Sequence, residues 1–225
     1  MKIAQKQLEG REIEVLPIVC DITNRAACEA MYTQVLTKWG RIDALVNNAG
    51  ITHIERYVNM DKERQLTQKI MEVNFFGAVN CTEVCLSQLI QHQGVIVSIS
   101  SVAGFAPLIG RTAYAASKHA LHGFFESLRG ELKEEGVHCL MVCPSFIEAP
   151  KNLDAALPNS IYQNKKTIGK NVTAATIAKE IYSAVLKEKP LLVAGRTGKL
   201  SYWLHRLSPT LYEKVMLKKL KNSVK

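Results

Sequence analysis

The chain has 225 residues, 47% of them hydrophobic, and this length supports one large core without requiring a second domain. Of the net charge of +9, residues 196–225 carry +7, from eight basic residues and one acidic residue, which leaves +2 for the rest. The nearly neutral body therefore excludes the basic face of a nucleic-acid-binding protein, while an anionic partner for the tail remains open.

Short apolar runs of strand length alternate along the chain with longer segments of helical pattern. This alternation predicts an α/β fold in which crossover helices join parallel strands. The predicted strands are residues 12–20, 44–47, 94–100, 138–143 and 190–195, and the predicted helices are residues 25–39, 69–90, 111–135 and 173–187. Gly136 is expected to cap the third of these helices, and the polar stretch 148–171 is expected to form a loop. No apolar run approaches the length of a transmembrane helix.

The cysteines all lie in apolar or helical runs. They are Cys20, Cys28, Cys81, Cys85, Cys139 and Cys143. The spacing of four residues within Cys81/Cys85 and within Cys139/Cys143 is compatible with metal ligands, but it fits small buried thiols in core positions better. We therefore expect no metal site. Since no signal peptide precedes these thiols, we expect a reducing, cytoplasmic location.

A tyrosine and a lysine one helical turn apart, Tyr114 and Lys118, lie in the stretch "TAYAASKHA". The same spacing recurs at Tyr162 and Lys166, so spacing alone does not indicate a function. The residues that follow the predicted strands provide context, because ligands of an open parallel sheet bind beyond the carboxyl ends of its strands. These residues are Asp21, Asn48, Ala49, Gly50, Ser101, Pro144 and Ser145.

Six short motifs occur in a fixed order along the chain. They are "CDIT" at 20–23, "NNAG" at 47–50, "VNFFG" at 73–77, "SISS" at 98–101, "YAASK" at 114–118 and "CPSFIEA" at 143–149. In this order they resemble the short-chain dehydrogenase/reductases, over residues 13–195. The resemblance implies a Rossmann-like, doubly wound parallel sheet and a nicotinamide-dependent oxidoreductase. It also selects Tyr114 over Tyr162, because only Tyr114 stands thirteen residues after Ser101, which is the family's catalytic spacing.

These residue types suit the implied chemistry. Hydride reduction of a ketone builds negative charge on the carbonyl oxygen, which calls for a proton donor and a hydrogen-bond donor at that atom. A tyrosine has an ordinary pKa of about 10, and an ammonium one turn away favours its phenolate form.

The resemblance assigns a role to each of four residues. It implies that Tyr114 is the general acid or base and that Lys118 lowers its pKa and binds the nicotinamide ribose. It also implies that Ser101 binds the substrate oxygen and that Asn74 holds a water that relays protons to Lys118. Taken singly, Asn74 also fits a cap or kink of its helix, Ser101 a cap of the following turn, and Lys118 a solvated helix residue.

The resemblance implies NADP as the cofactor, with NAD as the other choice. Asp21 and Ile22 match positions beside the adenine, Asn48, Ala49 and Gly50 match positions along the adenosine and its ribose, and Pro144 and Ile147 match positions that flank the nicotinamide. Tyr114 and Lys118 also contact the cofactor in this scheme. Ser145 stands where the family usually has glycine, and Ala149 stands where it often has a threonine that touches the nicotinamide amide.

One family element has no counterpart in the sequence. None of the 13 glycines forms a Gly-x-Gly, so the turn that receives the pyrophosphate is missing together with the first βαβ unit. Without the first two strands, we expect residues 12–20 to lose a hydrogen-bonding neighbour and the chain to bind the cofactor weakly, unless a longer natural chain exists. The alternative function is a truncated, non-catalytic remnant that acts as a binding or dimerisation partner.

Residues 1–195 are expected to form one domain, and residues 196–225 a basic amphipathic tail whose last helix starts at Ser208 and Pro209. The apolar positions of this helix are Tyr212, Val215, Met216 and Leu220. They fit a helix packed on the body or on a second subunit, and they also fit an interfacial helix on an anionic membrane. Resemblance to the hydroxysteroid-dehydrogenase-like members implies a lipophilic ketone or alcohol as substrate, a homodimer or homotetramer, and peripheral contact with the cytosolic face of a membrane.

Overall fold

The structure is a computed structural model that describes residues 13–59, 64–147 and 172–223. Its helices are α1 (Arg25–Trp39), α2 (Arg64–Met71), α3 (Gly77–Gln91), α4 (Thr112–Glu131), α5 (Ala174–Leu186), α6 (Arg196–Leu207) and α7 (Pro209–Ser223). Its strands are β1 (Ala44–Asn47), β2 (Val95–Ile99), β3 (His138–Pro144) and β4 (Leu191–Ala194). The predicted loop 148–171, which contains Ala149, Tyr162 and Lys166, lies outside the described residues.

In the described part of the chain, four strands form one parallel sheet in the order β1-β2-β3-β4. Helices cover both faces, because the side chains of a strand point alternately to one face and the other. Cys139 and Met141 of β3 pack with α3 and α4, whereas Leu140 and Val142 pack with α5. Full burial of such an aliphatic side chain contributes roughly 1.5–3 kcal/mol. The predicted α/β fold of Rossmann-like type is confirmed.

The predicted strand at residues 12–20 is wrong for the residues that the structure describes. Residues 13–20 have no strand conformation, and Ile13 and Val19 are 54% and 88% exposed. An apolar run becomes a strand only where a neighbouring strand takes up its backbone hydrogen bonds, and in the described ranges no strand pairs with this segment. Its apolar pattern is therefore present without the sheet position that would bury it.

The structure changes the end of one predicted helix and the interior of another. Helix α4 ends at Glu131 and not at residue 135, because turns occupy residues 132–136. Gly136 has a φ of +72°, the Val137 amide donates to the Leu132 carbonyl and the Gly136 amide donates to the Lys133 carbonyl. These are the two hydrogen bonds of a Schellman cap, so Gly136 closes the turns that follow the helix, as predicted. The predicted helix at residues 69–90 is present, but a π-helical turn, Glu72–Phe76, joins α2 to α3 within it.

The basic tail forms two helices, α6 and α7, that extend from the sheet. As predicted, the last helix starts at Ser208, whose Oγ accepts a hydrogen bond from the Leu211 amide at 3.3 Å. Tyr212 is 4% exposed and packs in a small cluster with Val102 and Ala106, so α7 lies against the body. Within the described ranges, no helix combines the length and apolarity that crossing a membrane requires.

Candidate active site

The polar residues singled out in the sequence lie beyond the carboxyl ends of the parallel strands. Asn48 follows β1, Ser101 comes two residues after β2, and Pro144 is the last residue of β3. Helix α4 crosses this edge and carries Tyr114 and Lys118. The sheet therefore collects, at one edge, residues that are far apart in the sequence.

Lys118 is buried beside Tyr114. Its Nζ donates a hydrogen bond of 2.8 Å to the Ile99 carbonyl at the end of β2, and it lies 5.8 Å from the centre of the Tyr114 ring. The side chain is 4% exposed, and burial lowers the pKa of the Lys118 ammonium to about 8. The group is still cationic at neutral pH, so a positive charge is held next to the phenol ring.

Ser101 combines a capping role with a position on the cavity. Its backbone is extended, and its Oγ accepts a hydrogen bond of 3.2 Å from the Ala103 amide at the start of the 3₁₀ turn Val102–Gly104. The residue also lines the cavity that Tyr114 borders. As an acceptor in the cap, the hydroxyl keeps its own hydrogen for donation.

Asn74 lies in the π-helical turn and is fully buried. Its Oδ1 accepts a hydrogen bond from the Ile51 amide at 2.7 Å, and its Nδ2 donates to the Ile51 carbonyl and to Ser117 Oγ, both at 2.9 Å. Both amide hydrogens are used within the protein, so a water bound by this side chain would have to donate to the second lone pair of Oδ1. Asn74 therefore fixes the loop after β1 against helix α4.

Gly50 lies next to the side chains of Asn74 and Lys118. A Cβ atom at this position would lie 3.2 Å from Asn74 Oδ1 and 3.6 Å from Lys118 Nζ. Its neighbours Asn48 and Ala49 are exposed beyond β1. A glycine here leaves the approach to the lysine ammonium open from the β1 side.

Asp21 and Ile22 lie in the segment that precedes α1 and contacts α3. Asp21 is exposed, and its Oδ1 accepts hydrogen bonds from the Thr23 amide and hydroxyl, which lower the pKa of its carboxyl. The Ile22 carbonyl accepts from Asn80 Nδ2 at 2.9 Å, and a Cβ on Gly77 would lie 2.5 Å from Ile22 Cδ1. This segment is therefore anchored on α3, although it is not part of a strand.

Pro144 and Ile147 border the site on the other side. Pro144 is buried and pairs with Ala194 of β4, whereas Ile147 is 41% exposed and bridges to Val172. Ser145 lines the cavity, and its Oγ would be 2.7 Å from a Cβ on Gly195. The serine that replaces the family's usual glycine thus faces a glycine across the gap.

A cavity of about 120 Å³ opens next to Tyr114 and Ser101. Its other lining residues are Val102, Leu108, Arg111, Ser145, Phe146, Thr197, Ser201, Tyr212 and Met216. Most of the surface that this wall exposes is apolar, and α6 and α7 contribute part of it. The Arg111 guanidinium lies 5.8 Å from the centre of the Tyr114 ring.

Several residues near the site were not singled out from the sequence. Ser117 bridges Asn74 to the Tyr114 carbonyl, which its Oγ reaches at 2.8 Å. His122 lies one turn beyond Lys118 and contacts Cys143 Sγ at 3.4 Å. Ser117 and His122 were within reach of sequence reasoning, because helical spacing from the Tyr–Lys pair puts polar residues on the same side of α4.

The parallel sheet and the polar residues beyond the ends of its strands place the chain among α/β proteins with a Rossmann-like fold. The sequence profile described as short chain dehydrogenase matches residues 1–157. The chain belongs to the short-chain dehydrogenase family, which confirms the resemblance read from its motifs.

Curated relatives agree with this family. The chain is 35% identical over 214 residues to "Dehydrogenase/reductase SDR family protein 7-like" of Dictyostelium discoideum, a match that covers 94% of this chain and 66% of the relative. It is 29% identical over 212 residues to "Dehydrogenase/reductase SDR family member 7B" of Mus musculus, which covers 92% of this chain and 65% of the relative. The chain thus spans just under two thirds of the length of these two relatives.

A solved structure shares the fold. The short chain dehydrogenase from Burkholderia cenocepacia, determined in complex with NADP, superimposes with a TM-score of 0.76 at 19% identity. The match covers 93% of this chain and 80% of that one. At this level of identity the likeness concerns the architecture alone.

Proposed function

We propose that the chain is an NAD(P)-dependent oxidoreductase that interconverts a ketone and a secondary alcohol, with Tyr114 as general acid or base. One observation carries the proposal: the buried Lys118 ammonium lies beside the Tyr114 ring, and Tyr114 shares a cavity wall with Ser101. A cation, a phenol and a hydroxyl at one cavity suit an oxygen atom that gains negative charge.

In the reductive direction, Tyr114 gives its hydroxyl proton to the carbonyl oxygen of the substrate. Ser101 donates a hydrogen bond to the same oxygen as its charge grows. Lys118 stabilises the phenolate that remains, because its ammonium lies close to the ring in a buried setting. In the oxidative direction, Tyr114 takes the proton back from the alcohol.

The residues beside Lys118 fit a nicotinamide cofactor. Glycine at position 50 leaves space that a Cβ would fill between the loop and the lysine ammonium. When bound, the cofactor supplies or accepts the hydride. We assign Asp21 and Ile22 to its adenine end, residues 48–50 to the adenosine and ribose, and Pro144 and Ile147 to the nicotinamide end. NADP is the preferred form, with NAD as the other choice, and the Burkholderia complex with NADP supports this assignment.

The composition of the cavity wall supports a lipophilic substrate. Val102, Leu108, Phe146 and Met216 line the space next to Tyr114. Apolar contacts of this kind bind hydrocarbon without setting its orientation, so polar groups elsewhere in the wall must set it. A ketone or alcohol on a largely apolar skeleton fits this wall.

The exposed face of α6 supports the proposal of a peripheral contact with an anionic membrane. Leu200, Trp203 and Leu207 are 68%, 58% and 79% exposed, at spacings of three and four residues. The basic residues Lys199 and Arg206 lie on the same helix. Apolar side chains with adjacent positive charge favour the interface of an anionic bilayer. This placement would bring a lipid substrate close to the cavity, to which α6 also contributes.

Deletion of residues 196–225 is a poor test of membrane contact, because Tyr212 belongs to a packed cluster. The sharper test replaces Trp203 and Leu207 together by serine and measures co-sedimentation with vesicles that contain anionic lipid. Binding should fall severalfold. The matched pair Tyr182→Ser with Leu186→Ser on α5, where both residues are also more than half exposed, should leave it unchanged. Equal binding by both double variants would remove this part of the proposal.

A second candidate is a binding or dimerising role without catalysis. The observation in its favour is the β1 edge, which in the described ranges pairs only with β2 and leaves Val46 55% exposed. An open strand edge with an exposed apolar residue is a template for pairing with another chain. Sedimentation at increasing concentration tests this role, and also the expected homodimer or homotetramer.

The deciding experiment for the enzymatic proposal follows NADPH and NADH absorbance with a panel of lipophilic ketones, and the reverse reaction with the matching alcohols. Cofactor-dependent turnover that requires a ketone or alcohol supports the proposal. A chain that is folded by circular dichroism and binds either cofactor, but turns over no member of the panel, would favour the non-catalytic role.

A further inference from the structure

Three cysteines form a path of neighbouring thiols where α1 packs against α3. Cys28 on α1 and Cys81 on α3 are buried, with their Sγ atoms 4.0 Å apart. Cys20, just before α1, is half-buried, and burial together with the neighbouring Cys28 raises the pKa of its thiol. The path therefore runs from a partly accessible thiol to a buried pair. None of these residues has a part in the proposed catalysis.

The separation between the buried sulfur atoms is close to what a disulfide needs. An S–S bond is about 2.05 Å long, so Cys28 and Cys81 have to approach by roughly 2 Å, which side-chain rotation and a small helix shift can supply. Disulfides also move between thiols when a thiolate attacks one sulfur of an existing bond. The proximity of Cys20 to Cys28 and the contact of Cys28 with Cys81 provide both steps of such a transfer.

A metal site explains these thiols less well. Cys85 lies one turn beyond Cys81, but in the described part of the chain no three potential ligands are grouped as a metal ion would need. Burial also raises the pKa of the Cys28 and Cys85 thiols to about 11, whereas zinc binding requires thiolates. Exchange between neighbouring thiols needs only one thiolate at a time.

We propose that Cys20, Cys28 and Cys81 are a redox modification site that takes a low-molecular-weight disulfide, such as oxidised glutathione, as its oxidant. The Cys20 thiolate attacks the oxidant, forms a mixed disulfide and releases one glutathione thiolate. Cys28 then attacks the Cys20 sulfur and releases the second glutathione. Finally Cys81 attacks Cys28, which frees Cys20 and leaves a Cys28–Cys81 disulfide. In sum, two protein thiols are oxidised and one glutathione disulfide is reduced to two thiols.

This site is coupled to the segment at residues 20–22. Cys28 Sγ lies 3.6 Å from the Ile22 carbonyl, to which its S–H donates, and a disulfide removes that donor. If Ile22 borders the adenine, a step that rests on the proposed function, oxidation should weaken cofactor binding and a dithiol should restore it. Formation of the cross-link itself needs no cofactor, so the two ideas fail independently.

The test maps the cross-link in the wild-type chain. The protein is incubated with oxidised glutathione at mildly alkaline pH, blocked with N-ethylmaleimide, digested without reductant and analysed by mass spectrometry. Trypsin cleaves after Arg25 and so separates Cys20 from Cys28. A second protease, which cleaves after glutamate, cuts at Glu83 and separates Cys81 from Cys85. A linked pair of peptides that contain Cys28 and Cys81 is the expected product. Recovery of Cys81 as the maleimide adduct, with glutathione only on Cys20, would overturn the proposal.

Variants then test the order of the steps. Cys20→Ser should slow formation of the Cys28–Cys81 bond at least about fivefold, because the buried thiols lose their accessible partner. Cys81→Ala should stop the transfer at a Cys20–Cys28 disulfide. Cys139→Ala, at an equally buried thiol on β3, is the matched control and should behave as wild type. An unchanged rate in Cys20→Ser would remove Cys20 from the path, and the wild-type map stands even if a variant fails to fold.

Discussion

The Nζ atom of Lys118 lies 5.8 Å from the centre of the Tyr114 ring. Helix geometry brings the two residues together, since they are one turn apart on α4. The same lysine is buried, and its pKa is lowered from 10.5 to about 8 because burial disfavours the ammonium. The position that serves the proposed chemistry is therefore costly for the folded state, and the cost and the function can be measured separately.

Tyr114→Phe should reduce ketone turnover by about 10²–10⁴-fold, because it removes the general acid and leaves the ring in place. Because Tyr114 also contacts the cofactor in this scheme, cofactor affinity should fall far less than turnover. Tyr162→Phe is the matched control, since Tyr162 precedes Lys166 at the same spacing, and it should retain full activity. Steady-state kinetics and a fluorescence titration with NADPH make the measurement. Equal turnover by Tyr114→Phe and the wild type would contradict the proposed role.

Lys118→Met should abolish turnover and yet stabilise the protein at neutral pH. A pKa of about 8 in place of 10.5 corresponds to roughly 3 kcal/mol of unfavourable free energy. The lost hydrogen bond to Ile99 offsets part of this amount, so we expect the free energy of unfolding at pH 7 to rise by about 1–2 kcal/mol.

The pH dependence of this gain has a definite sign. The cost of the buried ammonium is fully present below the folded-state pKa of about 8 and is absent above 10.5, where the unfolded lysine is also neutral. The difference between Lys118→Met and wild type should therefore shrink as the pH rises through this interval. Urea unfolding at several pH values measures it, and a difference that grows with pH would contradict the burial argument.

Gly77→Ala should weaken cofactor binding severalfold through Ile22. The new Cβ would lie 2.5 Å from Ile22 Cδ1 and 2.7 Å from Ile22 Cγ1, so the side chain of Ile22 has to move. Overpacking of this kind costs about 1–3 kcal/mol. Titration with NADPH measures the loss. An affinity equal to that of the wild type would contradict the assignment of Ile22 to the adenine end of the cofactor.

The control for this substitution is Gly123→Ala on α4, where a Cβ meets nothing within 4 Å. It should raise the free energy of unfolding by about 0.5–1 kcal/mol, because alanine loses less conformational entropy in a helix. Its cofactor affinity should be unchanged. A loss of affinity here would show that the effect at position 77 is not specific to Ile22.

Tyr212→Phe should increase stability slightly and change substrate binding. In the described part of the chain the Tyr212 hydroxyl is buried and has no hydrogen-bond partner, and an unsatisfied polar group of this kind costs about 1 kcal/mol or more. Thermal unfolding should show the gain, and Tyr182→Phe, at a position that is 67% exposed, should show none. Because Tyr212 also lines the cavity, KM for a lipophilic ketone should change more than kcat. A lower melting temperature would indicate a partner for this hydroxyl.

Sequence alone determined the alternation of helices and strands and the pair Tyr114 and Lys118. The alternation depends on local spacing, because an apolar run of strand length or of helical period has its consequence within a few residues. The pair was selected over Tyr162 and Lys166 by the order of the family motifs and by its place thirteen residues after Ser101. The same local reasoning failed at residues 13–20, where the apolar pattern is present but no described strand pairs with it. It also placed the last residue of α4 four positions too late, because turns occupy residues 132–136 before the capping glycine.

Only the tertiary structure decided which distant residues meet. Asn74 and Ser117 share a hydrogen bond across 43 positions of sequence, and Cys28 and Cys81 face each other across 53. Tyr212, expected in a tail, became part of the cavity wall. Such contacts depend on how α1, α3 and α7 pack, and packing is set by the shapes of many side chains at once, which no local spacing specifies.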